Sequence, residues 1–300
     1  MVIWAERPVE VSHPDKLLWP DAGVRKRDYL EYLAKMAPFM LPHLAERALT
    51  IIRWPDGVEG PYFYQKAAPS HTPDWIRRTR IWSPDRQAFF HAIVVDSAAA
   101  LLWLGNLAAL ELHVGFSRVN TPDVPDVVAL DLDPSVPDFE PVREVALALR
   151  KLFDELGIPS LPKLSGATGI QVLFRTQPVA TYEAWRPFTR MVAAYLARRM
   201  PRWVTLERRK HLRGDKVYVD APQHGKNRTL IAPYSARATS LATVAVPVTW
   251  EELAQGVTPD QFTLATVPER VLRLGDLLAS LPPVDPKPIV TFFQSSAVRR

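Results

Sequence analysis

The sequence predicts a mixed α/β fold of the α+β kind, and three observations lead there. Short runs rich in β-branched residues alternate with longer stretches whose apolar residues recur at helical spacing. The alternation is irregular, without the steady strand–helix–strand rhythm of a parallel repeat protein. Composition is that of an ordinary folded chain, 47% hydrophobic and 23% charged over 300 residues, enough for one large domain or two lobes with separate cores.

The elements follow in order. Lys26–Met40 carries apolar residues at helical spacing behind an Asp21-Ala22-Gly23 turn. Leu49–Trp54 (LTIIRW) reads as a strand that Pro55-Asp56-Gly57 ends in a turn. Phe89–Val95 is a second strand, leading into Ser97–Leu112 (SAAALLWLGNLAALEL), the most apolar stretch of the chain. That stretch falls short of the ~20 residues a membrane span requires, so it is expected as a helix buried between two lobes. Val119–Asp126 (VNTPDVPD) has no periodicity and reads as the connector, giving an N-terminal lobe of about 1–120 and a second of about 121–300. Beyond it come a strand at Val127–Leu132, a helix at Pro141–Leu156 that Gly157 can end, and a strand at Ile170–Arg175. An amphipathic helix at Thr181–Met200, a strand at Lys216–Asp220 and a short one at Thr229–Ala232 follow, and the tail from Leu281 is expected to be extended over the surface.

Several function classes are excluded at once. With no cysteine, the chain has no disulfide framework, thiol nucleophile or thiolate zinc site. Carboxylates and seven scattered histidines favour Mg²⁺ or Mn²⁺ instead. The N-terminus meets charge at once and shows no export signal, so a cytoplasmic protein without membrane partners is expected. No H-E-x-x-H and no G-x-S-x-G occurs. Net charge is +5, and the basic residues cluster, most densely from Arg208 to Lys216. Such clusters suit a phosphate backbone, and equally a solvated helix face.

The sharpest chemical signal is VVALDLDPS, Val127–Ser135. Side chains alternate along a strand, so Asp131 and Asp133 share one face while Val128, Leu130 and Leu132 take the other. Paired carboxylates repel unless a cation lies between them, and a divalent ion there can also bind a triphosphate. Asp220 closes a second β-branched strand (KVYVD) and supplies the third carboxylate of a two-metal centre, although alone it would be an ordinary turn former. In KLSGATGIQVLFR, Gly166 and Gly169 allow backbone N–H groups to converge on an anion, and Ser165 and Thr168 add hydroxyls. The Gly-Lys-Ser/Thr of a P-loop is missing. His113, in LELHV, fits either a site or a satisfied core position. Trp54, Phe63 and Tyr64 flank turns and suit base stacking or the core, with Trp54 the strongest core candidate.

Together these segments resemble the polymerase domain of bacterial ligase D, a branch of the archaeo-eukaryotic primase superfamily. The landmarks are SHPDKLLWPDAGVRKRDYL (Ser12–Leu30), RWPDGVEGPYFYQKAAPSHTPDW (Arg53–Trp75), VVDSAAALLWLGNLAALELH (Val94–His113), ALDLDP (Ala129–Pro134), SGATGIQV (Ser165–Val172), VDAPQ (Val219–Gln223) and APYSARA (Ala232–Ala238). Their order across nearly the whole chain is specific where no single motif is. The resemblance implies a primase-polymerase fold with an RRM-like catalytic sheet packed on an N-terminal α/β lobe. It implies template-dependent nucleotidyl transfer for gap filling and end extension in double-strand-break repair, with ribonucleotides preferred. Asp131, Asp133 and Asp220 would hold two Mn²⁺ or Mg²⁺ ions. His113, Ser165, Gly166, Thr168, Gln171, Arg213, Gln223, Arg237 and Arg53 would meet the nucleotide. Lys16 and Lys26 would grip a 5′-phosphate on the downstream DNA strand, and Phe63, Tyr64 and Lys66 would bind DNA in the region that contacts template and nucleotide. The implied partners are DNA ends and gaps, NTP or dNTP, Ku and a separate ATP-dependent DNA ligase, in a nucleoid-associated setting.

Two departures stand out: the family commonly has Lys where Thr168 stands and His where Gln171 stands. Two other readings compete. In a haloacid-dehalogenase-type phosphatase, Asp-x-Asp after a strand supplies nucleophile and acid, but Pro134-Ser135 fits that motif poorly and Gly275-Asp276 is followed by Ser280 where a second Asp is needed. A non-catalytic DNA-end binder would explain the departures, while the presence of all three Asp residues argues against it.

Overall fold

The computed structural model describes residues 2–83 and 87–297. The chain forms two compact units that are not contiguous in sequence: Met1–Gly115 with Thr229–Val246 and Asp260–Asp276, and Phe116–Arg228 with Pro247–Pro259 and Leu277–Arg300. A single cut near residue 120 leaves the two returning segments with the wrong unit. Leu230–Ile231 shows why, since it pairs antiparallel with Ala109–Val114 and completes a sheet of the first unit.

In the first unit, helix Lys26–Leu44 is started by Asp28, whose carboxylate accepts the Arg25 N–H at 2.7 Å. Its apolar stripe, Tyr29, Leu30, Leu33, Met36, Ala37, Met40 and Leu44, is fully buried. It packs on helix Ala98–Asn106, and Gly105 permits the approach: a Cβ there would lie 2.5 Å from Leu33 Cδ1. The second helix is capped twice, by Ser97 Oγ on the Ala100 N–H and by Glu6 on the Ala98 and Ala99 N–H groups.

The expected helix over Ser97–Leu112 therefore covers only its first half. Ala108 takes a left-handed conformation (φ 54) and the chain turns into strand Ala109–Val114. That strand pairs with Leu49–Arg53 on one side and Leu230–Ile231 on the other. Two rows of sheet hydrogen bonds outweigh the helical preference of an Ala/Leu/Glu run. Phe63–Gln65 adds the other edge strand, and Arg78–Ser83 with Ala88–Ile93 forms a separate hairpin. No helix among the described residues is long and apolar enough to cross a membrane.

The second unit is built on a sheet with strand order Val204–Thr205, Val217–Asp220, Val127–Asp133, Ile170–Arg175, Leu161–Leu164. The chain from Pro247 runs along its last edge, with the Val248 N–H on Pro162 O at 3.0 Å. The central strand is antiparallel to both neighbours. On its apolar face Val128, Leu130 and Leu132 lie opposite Phe174, Val172 and Ile170, all fully buried. Helices Glu140–Glu155 and Tyr182–Arg199 close this core, where Phe153, Phe174, Trp185 and Phe188 meet mostly edge to face. Val119–Asp126 belongs to this unit and is tied down by Arg118 on Asp126 at 3.0 Å.

The tail is not extended throughout. Lys287–Ala297 is a helix, and Phe293 reaches Phe188 at 6.2 Å between ring centres. Burying apolar residues at helical spacing against helix Tyr182–Arg199 drives it.

Candidate active site

The pleat and register of the second unit's sheet assemble the carboxylates. Asp131 stands directly opposite Asp220 on one side and Gln171 on the other, and Gln171 stands opposite Lys163. Directly opposed residues share a face with Cβ atoms roughly 5 Å apart. One row therefore crosses four strands as Asp220, Asp131, Gln171, Lys163, with Asp133 on the same face two residues along. Asp133 itself pairs with Tyr218.

The electrostatics of this row are unfavourable as it stands. Burial pushes the Asp131 carboxyl up to about 7; Asp133 and Asp220 push the same way, while the Gln171 hydrogen bond and the Lys163 charge oppose them. Asp133 is also raised, by burial and then by Asp220, against Arg213 and Lys210. Asp220 is partly engaged: its Oδ1 accepts the Gln223 N–H at 3.0 Å and the Tyr218 hydroxyl at 3.2 Å. Among the described residues no three His, Asp or Glu side chains already stand as a formed metal cage. The donor set nonetheless suits a hard divalent cation: oxygen only, three carboxylates on one face, two of them raised by burial and by their neighbours' charge.

The turn after the Leu161–Leu164 strand closes on itself. Ser165 Oγ accepts the Ala167 and Gly169 N–H groups, and the Ser165 N–H binds Gly169 O. Two of the amides expected to converge on an anion are thus taken within the turn, because a serine hydroxyl at this offset captures them locally. The Ser165 proton remains for donation. Gly169 is required by space: a Cβ would lie 2.8 Å from Leu132 O, beside Asp133 and Ser165. Thr168 is exposed and Gly166 buried in a left-handed turn (φ 74). Arg213 is buried, held by Glu207 O and Arg208 O, and lies 3.9 Å over the Tyr218 ring. Gln223 follows Asp220 in a single 3₁₀ turn.

The first unit carries two further clusters. The Lys16 ammonium binds Pro55 O and Asp56, both at 2.7 Å, and the buried Lys26 ammonium binds Ser12 O and Asn106 O. Burial holds Lys26 below the usual lysine range, helped by the nearby charges of Lys16 and Arg53. The three cations thus converge. Arg53 also donates to Leu107 O and Gln65 and lies 5.2 Å over the Phe63 ring. Phe63, Tyr64 and Lys66 are exposed, whereas Trp54 is buried and stacks on Tyr62 at 5.2 Å. The core alternative fails for Phe63 and Tyr64, which are exposed on an edge strand.

The second cluster centres on Glu111. Its Oε2 takes His113 Nε2 at 3.1 Å and Arg237 Nη1 at 2.8 Å, and its Oε1 takes the Ala238 N–H. Burial raises this carboxyl, but the His113 hydrogen bond and the charges of Arg237 and His113 win, and it lies below the usual range.

Comparison with known proteins decides the family. Residues 25–278 match the family model for the LigD primase-polymerase domain. The chain belongs to this family. It is 38% identical over 263 residues to the bifunctional non-homologous end joining protein LigD of Bacillus subtilis, covering 87% of this chain and 42% of that protein. It is 34% identical over 287 residues to the multifunctional LigD of Mycobacterium tuberculosis, covering 92% of this chain and 37% of that one. The chain thus spans about two fifths of these relatives. The solved polymerase domain of Mycobacterium tuberculosis ligase D in complex with DNA superposes with a TM-score of 0.84 at 34% identity, over 91% of this chain and 99% of that domain.

The fold of this LigD primase-polymerase domain is accordingly that of the mycobacterial one, and the dehalogenase reading is set aside. Sequence reasoning missed three residues at these clusters: Lys163, Tyr218 and Glu111. For Glu111 a signal existed, since it alternates with His113 in LELHV and so shares its face. Tyr218 likewise alternates with Asp220 in KVYVD and shares its face, whereas Lys163 reaches the row only through strand register, which no local pattern encodes.

Proposed function

We propose that this domain is a template-dependent nucleotidyltransferase that fills gaps and extends ends in double-strand-break repair by end joining. The observation that carries the reading is the row of Asp131 and Asp220 in direct register with Asp133 on the same face, within a chain of this family. The two units would work as one polymerase domain, the second as its catalytic lobe.

Asp131, Asp133 and Asp220 would hold two divalent cations, Mn²⁺ or Mg²⁺, which would polarise the α-phosphate and make the attacking hydroxyl more acidic. The carboxylates' own part is to fix the geometry, and their present repulsion makes cation binding favourable. The Ser165 hydroxyl is assigned to the sugar, which gives a preference for ribonucleotides through their 2′-OH. His113, Arg53, Arg213, Gln223 and Arg237 are assigned to the nucleotide, with Gly166, Thr168 and Gln171 lining its phosphates. Lys16 and Lys26, with Arg53 beside them, are assigned to a 5′-phosphate, which would replace backbone carbonyls as ammonium partner in a charge-assisted bond. Phe63 and Tyr64, exposed beside Lys66, suit stacking on DNA bases. Ku and an ATP-dependent ligase activity are the partners this role requires, in the cytoplasm near the nucleoid.

Primer extension on gapped DNA with and without a 5′-phosphate, with NTP or dNTP and either metal, tests the proposal. Extension by the wild type, its loss in Asp131→Ala, and indifference of Lys16→Ala/Lys26→Ala to the 5′-phosphate are expected. A chain that does not extend, or an Asp131→Ala variant that does, overturns it.

A further inference from the structure

We infer that Glu111 is a positioning residue that sets His113 and Arg237 for the nucleotide; this rests on the assignment of those two residues above. Three observations support it. Glu111 is a buried carboxylate whose Oε2 takes both the His113 ring and the Arg237 guanidinium, so one side chain fixes the position of both groups. It joins distant parts of the chain, since His113 lies on its own strand while Arg237 and the Ala238 N–H come from the returning segment. And the Arg237 pair is not closed as a structural ion pair would be. Glu111 takes Nη1, while Nε is buried with no hydrogen-bond partner among the described residues. A pair selected for stability alone would engage the guanidinium through two parallel N–H groups. The single bond anchors one end of the guanidinium and leaves the Nε donor unmatched among the described residues.

His113 is aligned in the same way. With Nε2 directed at a carboxylate two residues away, the proton is held on that nitrogen and the ring cannot turn freely. The Ala238 N–H bond then fixes the carboxylate itself. Glu111 is also negative, so it opposes an anionic ligand at long range. Orientation and repulsion predict opposite results when it is removed, which makes the role measurable.

The experiment is steady-state extension of gapped DNA with varied NTP, using Glu111→Ala, Glu111→Gln, His113→Ala and Arg237→Ala. Glu111→Gln keeps the shape and one acceptor oxygen and removes the charge. Expected is a rise of about tenfold in NTP KM for Glu111→Ala, the order of one lost charge-assisted hydrogen bond, with most of it recovered in Glu111→Gln and DNA affinity unchanged. An unchanged or lower KM in Glu111→Ala, beside raised values in His113→Ala and Arg237→Ala, overturns the inference and leaves the nucleotide assignment standing. Unchanged KM in His113→Ala and Arg237→Ala overturns the assignment and the inference with it. Nitrogen-15 spectra of His113 give a reading independent of turnover and of whether Glu111→Ala folds. The wild type and Glu111→Gln should both show Nε2 protonated in one tautomer. A mixture in the wild type overturns the inference.

Discussion

Replacing Asp131 by Asn should stabilise the metal-free protein at pH 8 while abolishing its response to metal. The carboxyl is displaced from its ordinary value of 3.8 up to about 7 by burial and by Asp133. A group whose folded value is raised binds protons more tightly in the native state. Its contribution to stability is therefore fully present below the unfolded value, near 4, and is lost as pH rises through the folded value, near 7. Three units at about 1.4 kcal/mol each set an upper limit of roughly 4 kcal/mol lost between pH 4 and pH 8. The edge of the residue that meets solvent reduces this, so about 1–4 kcal/mol is the expected range. Asparagine cannot ionise, can still accept the Gln171 hydrogen bond, and also relieves Asp133. Urea denaturation in EDTA at pH 5, 6, 7 and 8 measures the effect. The wild type should weaken across this window and recover with Mn²⁺ at pH 8; Asp131→Asn should be flatter, more stable at pH 8 and unmoved by Mn²⁺. A wild type flat across the window, or an Asn variant no more stable at pH 8, refutes the electrostatic account. Equal stabilisation of both proteins by Mn²⁺ refutes the metal assignment.

Three further outcomes are expected. Gly169→Ala should cost about 1–3 kcal/mol in chemical denaturation, because its Cβ meets Leu132 O at 2.8 Å and the strand must shift to make room. His224 is buried between Phe116 and Tyr182 with neither ring nitrogen hydrogen-bonded among the described residues, and burial depresses it to about 3. Its stability is present above pH 6.5 and lost as pH falls toward 3, so His224→Phe should hold or gain stability at pH 7 and lose less on acidification, by thermal melts at pH 4.5 and 7.5. Thr168→Lys places a cation on an exposed turn position and should lower the KM for NTP by a few-fold, as should Gln171→His, read by nucleotide titration; an unchanged KM in both would mean that Gln171 and Lys163 already meet the site's needs.

Much of this protein was legible in its sequence because the signals are local. Period-two alternation in VVALDLD is enough to put Asp131 and Asp133 on one face, since the pleat of a strand requires nothing from elsewhere in the chain. Helices Lys26–Leu44, Glu140–Glu155 and Tyr182–Arg199 announce themselves through apolar spacing over many turns. The mixed α/β class and the family landmarks follow from the same short-range patterns. The hairpin strand Arg78–Ser83 gave no such signal, because Arg78, Arg80 and Trp82 are exposed and neither face carries a clean apolar row. Tertiary structure alone decided the rest. Strand pairing ended the Ser97 helix at Asn106 and made Ala109–Val114 a central strand; packing against Phe188 made the tail a helix. The return of Leu230–Ile231 to the first unit, the register that sets Asp220 and Gln171 beside Asp131, and the bond from Glu111 to Arg237 all join residues far apart in sequence. A sequence pattern specifies which face a side chain takes on its own strand; only the pairing of strands specifies which side chain it meets there.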